Sequence, residues 1–145
     1  MHQAIQVLEE ERIELGEVIP MGNNVLYIED NPDNMMLVQR ALESRGYRLL
    51  KAVNGLNGVE LAEREDVDLI LLDINLPDID GYEVARRLRH SSKSSLLHVP
   101  IIAVTANALK GDAEKALEAG CDVYMSKPIN IRELWARVEA FVPMP

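Results

Sequence analysis

The sequence predicts a doubly wound α/β fold, a five-stranded parallel sheet flanked by five helices. From Val25 onward, apolar runs of strand length alternate with amphipathic runs of helical length, the pattern of repeated βαβ units. Two of those runs, DLILLD and PIIAVT, are apolar nearly throughout, as central strands covered by helices on both faces must be. A chain of 145 residues with 48% hydrophobic content is also the size of one domain with a real core.

The first strand is read at Asn24 to Glu29, with a helix from Pro32 to Ser44 entered through Asn31 as N-cap and Pro32 at the first helical position. Gly46 stands where that helix should stop. A strand from Tyr47 to Ala52 and a helix from Leu56 to Arg64 follow, then a strand from Asp68 to Asp73 and a helix from Gly81 to Arg89. The fourth pair is Pro100 to Thr105 with Leu109 to Glu118, closed by Gly120. The fifth is Asp122 to Met125 with Ile131 to Phe141, after which Pro143 and Pro145 prevent continuation.

Residues 1–23 fall outside this alternation and are expected to be an extension or linker ahead of a domain at 24–145. Ile5, Leu8, Leu15 and Ile19 lie on a heptad-like stripe, but Arg12 interrupts it. A connector, a short dimerising helix and a disordered acidic lead all fit.

The bulk chemistry excludes several functions. A net charge of −9 repels phosphate backbones, so direct nucleic-acid binding is not expected. No apolar run is long enough to cross a bilayer. The only cysteine, Cys121, has no intramolecular partner, and the start of the chain has no apolar signal segment, so a reduced, cytoplasmic protein is expected. His2, His90 and His98 are scattered, without the spacing of a zinc site or a nucleophilic triad.

In an open parallel sheet, ligands bind at the carboxyl ends of the strands. There the sequence places Glu29 and Asp30 after the first strand, Asp73 and Asn75 after the third, Thr105 at the end of the fourth, and Lys127 and Pro128 after the fifth. Each alone is ordinary: acids cap helices, Asp is common in loops, and Thr favours strands. Together they line one rim with the charges of a metal-phosphate site. Carboxylates 4 Å apart repel by about 4 kcal/mol at an effective dielectric near 20, so a cation must sit among them. Mg²⁺, with Mn²⁺ as a substitute, suits an incomplete octahedron of Asp30, Asp73 and the backbone carbonyl of Asn75, with Glu29 acting through water. Lys127 and the Thr105 hydroxyl would engage phosphoryl oxygens, leaving Asp73 as a carboxylate nucleophile that forms an acyl phosphate.

The segments VLYIEDNPDN, LILLDINLPDIDGYEV, PIIAVTANAL and GCDVYMSKPIN, in this order, resemble the receiver domains of two-component response regulators from Val25 to Val142. The resemblance implies a flavodoxin-like strand order 2-1-3-4-5 and phosphorylation of Asp73 by a histidine kinase or a histidine phosphotransfer protein. It also implies a cis Lys127–Pro128 peptide. Thr105 and Tyr124 would form a switch that alters the face made by the fourth helix, fifth strand and fifth helix, and so controls a downstream protein target. A dimer is left open. No DNA-binding helix pair, cyclase or kinase core accompanies these motifs, so the expectation is a signalling domain and not a turnover enzyme.

Two rivals remain at this level. A Mg²⁺-dependent aspartyl-phosphate phosphatase usually carries a second Asp two residues after its nucleophile, where this chain has Asn75. A receiver-like docking module that is never phosphorylated would be expected to lose the acceptor or an acid, and both are kept.

Overall fold

The computed structural model describes residues 23–107 and 111–145. Five strands, β1 (Asn24–Ile28), β2 (Arg48–Ala52), β3 (Leu69–Asp73), β4 (Ile101–Thr105) and β5 (Val123–Ser126), form one parallel sheet in the order β2-β1-β3-β4-β5. Five helices alternate with them: α1 (Pro32–Glu43), α2 (Gly55–Arg64), α3 (Gly81–Arg89), α4 (Asp112–Ala119) and α5 (Ile131–Phe141). A short 3-10 turn at Ser94–Leu97, not anticipated from the sequence, precedes β4.

Strand alternation divides the core between the two faces of the sheet. Leu26, Ile28, Ile70, Leu72, Ile101 and Ala103 pack on one side, against Ala62 of α2, Leu88 of α3 and Ala116 of α4. Val25, Tyr27, Leu69, Leu71, Ile102 and Met125 pack on the other, against Val38 and Leu42 of α1 and Leu134 and Val138 of α5. Burial on both faces explains why β3 and β4 are apolar along their lengths.

The helix starts are written into the sequence. Asn31 accepts hydrogen bonds from the backbone N–H groups of Asp33 and Asn34, Asn54 from Asn57, Asp80 from Glu83, and Asn130 from Glu133. α4 differs from the expected span of 109–118. Gly111 adopts the left-handed conformation (φ +86°), which a helix cannot continue through, so α4 begins at Asp112; residues 108–110 lie outside the described ones. β5 starts at Val123, one residue later than expected, and the Asp122 carboxylate just before it accepts from the Ile101 N–H at 2.8 Å and from Arg89 at 3.0 Å. The expected extension at 1–23 falls outside the described residues except for Asn23. Among the described residues no helix is long and apolar enough to cross a membrane.

Candidate functional site

Parallel register assembles the site. Ile28 pairs with Leu72, so Glu29 leaves β1 beside Asp73 at the end of β3. Thr105 pairs with Ser126, and the Lys127 N–H donates to the Thr105 carbonyl at 2.8 Å, which brings Lys127 to the same rim. The Lys127–Pro128 peptide is cis.

Carboxylate oxygens of Glu29, Asp30 and Asp73 lie within 4.8 Å of one another. Asp30 is exposed at the rim, whereas Glu29 and Asp73 are each only 1% exposed. Lys127 Nζ sits 3.1 Å from Asp73 Oδ1 and 3.5 Å from Glu29 Oε1. One ammonium against three carboxylates leaves the cluster short of positive charge. Its donors are all hard oxygens with an open side, a set that fits a small divalent cation such as Mg²⁺.

Several groups orient Glu29. Tyr27 Oη donates to Oε1 at 2.9 Å, Asn34 Nδ2 to Oε1 at 3.3 Å, and the Asn31 N–H to Oε2 at 3.2 Å. Burial alone would push the Glu29 carboxyl up. Its hydrogen bonds with Asp73, Tyr27 and Asn31, together with the Lys127 charge, outweigh that and hold it below the usual range. Asp73 goes the other way: burial, then the Glu29 charge, push it up to about 6 despite Lys127. Lys127 is raised, because Asp73 and Glu29 overcome a burial that would by itself lower it. Burial and the Glu29 charge likewise push the Tyr27 phenol up, so it remains a donor.

Asn75, two residues after Asp73, donates its N–H to Asp73 Oδ1 at 3.2 Å. Gly81, which opens α3, packs hard against the same turn. A Cβ there would lie 2.7 Å from the Asp73 carbonyl oxygen and 2.7 Å from Ile74 Cα. That close approach of backbone to backbone requires glycine.

Two of the expected residues are not in the cluster. Thr105 is buried, and its hydroxyl donates to Asp112 Oδ2 at 2.8 Å, on α4, while accepting from the Asn107 N–H at 3.1 Å. Tyr124 projects from β5 with 39% of its surface exposed. It borders a shallow groove shared with Leu117, Glu133 and Arg137.

Sequence reasoning missed Tyr27, Asn34 and Asp112. Tyr27 could have been found: it stands two residues before Glu29 in a strand and therefore faces the same side. Nothing in the spacing of Thr105 and Asp112 signals their hydrogen bond, because they belong to different elements, β4 and α4, and the Gly111 that sets the start of α4 is left-handed.

The comparisons with known proteins agree with this geometry. The response regulator receiver domain family matches residues 25–139. The polar-differentiation response regulator DivK of Brucella anthropi is 39% identical over 122 residues, covering 84% of this chain and 98% of its own length. Among solved structures, the receiver domain of the sensor histidine kinase PA1611 of Pseudomonas aeruginosa PAO1, which holds a magnesium ion in its active-site cleft, superposes with a TM-score of 0.76. It is 41% identical and covers 83% of this chain and 97% of its own. The receiver domain of a signal transduction histidine kinase from Syntrophus aciditrophicus gives a TM-score of 0.75 at 28% identity, over 83% of this chain and 89% of its own. Acid cluster, lysine, strand order and sequence thus converge: the chain belongs to the response-regulator receiver family of two-component signalling.

Proposed function

We propose that Asp73 accepts a phosphoryl group from a histidine kinase or histidine phosphotransfer protein, and that the chain then signals to a downstream protein. The observation that carries this reading is the 3.1 Å contact between Asp73 Oδ1 and Lys127 Nζ inside an acid cluster at the carboxyl ends of a parallel sheet. Asp73 is the nucleophile. One of its oxygens forms the new bond to phosphorus as the bond from phosphorus to the donor nitrogen breaks and its electron pair leaves with the imidazole. Lys127 pairs with a phosphoryl oxygen and so offsets the charge that arrives. The Thr105 hydroxyl donates to another.

Asp30 and Asp73, with the Asn75 carbonyl and Glu29 through water, would hold Mg²⁺ or Mn²⁺. When bound, the metal supplies charge neutralisation for the incoming phosphoryl group. Tyr27 and Asn34 keep Glu29 ionised and aimed. In the ordinary state Tyr124 stands outward; in the phosphorylated state it would turn in behind Thr105, changing the α4-β5-α5 face that a partner reads.

Residues 24–145 make the receiver unit in this reading, with 1–23 as its extension. It is a signalling domain of the cytoplasm and not a turnover enzyme, a placement supported by the free, buried Cys121. Acetyl phosphate with Mg²⁺ should add one phosphoryl mass to the intact chain, and Asp73→Asn should abolish the addition. An unchanged wild-type mass, under conditions where a known receiver reacts, would leave docking without phosphorylation as the function. Steady turnover of a phosphomonoester would support the phosphatase instead.

A further inference from the structure

A backbone carbonyl has no rotamer of its own, so one that serves as a metal ligand is aimed only by what fixes the chain on either side of it. Asn75 offers such a carbonyl. Upstream, β3 and the buried Ile74 hold the chain. The Leu76 N–H donates back to the Ile74 carbonyl at 3.2 Å, which makes a tight turn centred on Asn75. The Gly81 N–H donates to the same carbonyl at 2.8 Å and closes the base of the loop. Downstream of Asn75, the Asp78 side chain ties the loop to α2: Oδ1 accepts from the Gly55 N–H and Oδ2 from the Leu56 N–H, both at 2.8 Å.

Those two N–H groups belong to the first turn of α2, where no intrahelical acceptor is available. The local cap, Asn54, accepts from the Asn57 N–H at 2.8 Å. Asp78 is a second cap, brought from 23 positions away in the chain. Ile79 beside it fits the same helix start, since a Cβ on Gly55 would stand 2.6 Å from Ile79 Cγ1. Loop and helix are therefore matched both by packing and by a carboxylate shared between two donors, and bonds to an ionised acceptor are the strong kind.

We propose that Asp78 is a positioning residue for the metal: by pinning the loop after Asp73 to the start of α2, it holds the Asn75 carbonyl where a divalent cation needs it. Asp78 is not one of the acids of the cluster and acts through the backbone that it fixes. The coupling runs both ways, so a cation that fixes Asn75 also steadies the start of α2. The inference rests on the reading of Asp30, Asp73 and Asn75 as a magnesium site.

The probe is Mg²⁺ alone, titrated into the isotope-labelled full chain and followed by the amide shifts of residues around the acid cluster. Asp78→Ala should weaken Mg²⁺ binding about tenfold. Asp78→Asn, which keeps one acceptor oxygen without the charge, should weaken it less, and it guards against a folding defect in the alanine variant. Asn54→Ala strips the local cap from the same helix end. It should lower the urea midpoint, as Asp78→Ala does, and leave Mg²⁺ affinity at the wild-type value. In EDTA, amide exchange at Leu76 should quicken in Asp78→Ala and not in Asn54→Ala.

A residue that only capped α2 would give both alanine variants the same profile. Equal weakening of Mg²⁺ binding by Asn54→Ala therefore overturns the positioning role, as does Leu76 exchange that responds alike to both variants. Wild-type affinity in either Asp78 variant overturns it too. Any of these results with a wild type that binds Mg²⁺ sinks the role of Asp78 alone; a wild type that binds none sinks the magnesium reading with it.

Discussion

Replacing Asp73 with Asn should make the metal-free chain more stable, and by an amount that depends on pH. Asp73 is 1% exposed, and burial together with Glu29 holds its carboxyl at about 6 where 3.8 is ordinary. Ionising it in the folded chain is therefore harder than in the unfolded one. The gap corresponds to about 3 kcal/mol of lost stability once both states are ionised. A raised acid contributes no penalty below its unfolded pKa, where it is neutral in both states. The penalty grows as pH rises from about 4 and is complete above 6. In EDTA, Asp73→Asn should exceed wild type by about 3 kcal/mol at pH 8, by about 1.5 kcal/mol at pH 5, and by about nothing near pH 3.5. Urea denaturation followed by fluorescence of the single tryptophan is a suitable assay, because Trp135 bridges α5 to α1 through its Nε1–H donating to the Ala41 carbonyl at 2.8 Å. A gain of equal size at pH 8 and pH 5, or a variant less stable than wild type at pH 8, would refute the account of charge crowding.

Two substitutions and one labelling experiment follow from the geometry. Gly81→Ala should cost about 2–3 kcal/mol in urea denaturation and slow acetyl phosphate labelling, because its Cβ would press on the backbone of Asp73 and Ile74. Asn31→Ala removes the acceptor for two backbone N–H groups at the start of α1 and should lower stability by about 1 kcal/mol, read as a shift in the urea midpoint. The Cys121 thiol, pushed up to about 12 by burial, should resist iodoacetamide at pH 8 in the native chain and react fully after unfolding; rapid native labelling would contradict its burial.

Much of the fold was legible because its signals are local. Continuous apolar runs marked β3 and β4, and Asn31 with Pro32 marked the entry to α1. The positions of Asp30, Asp73 and Lys127 could be reasoned from strand ends alone, since parallel strands bring their carboxyl ends to one rim. Side-chain direction was not legible in the same way. Thr105 looked like a phosphate ligand from its place at the end of β4, yet its hydroxyl faces Asp112, an outcome decided by the packing of α4. Asp122 looked like a strand residue, and nothing local in the sequence signals that its carboxylate accepts from Arg89, 33 positions earlier in the chain. Gly120 was foreseen as a helix stop, but the left-handed Gly111 that sets the start of α4 was not, because a glycine within a helical pattern does not declare its φ.

The order of the strands also distributes stiffness unevenly. Glu29 follows β1 and Asp73 ends β3, two strands each hydrogen-bonded to a neighbour on both sides, whereas Lys127 follows β5, an edge strand of four residues laced to β4 alone. The negative half of the pocket is thus clamped in the middle of the sheet, and its positive half hangs on the margin. A push delivered at the rim will spend itself where resistance is least, along the border that also displays Tyr124 to solvent.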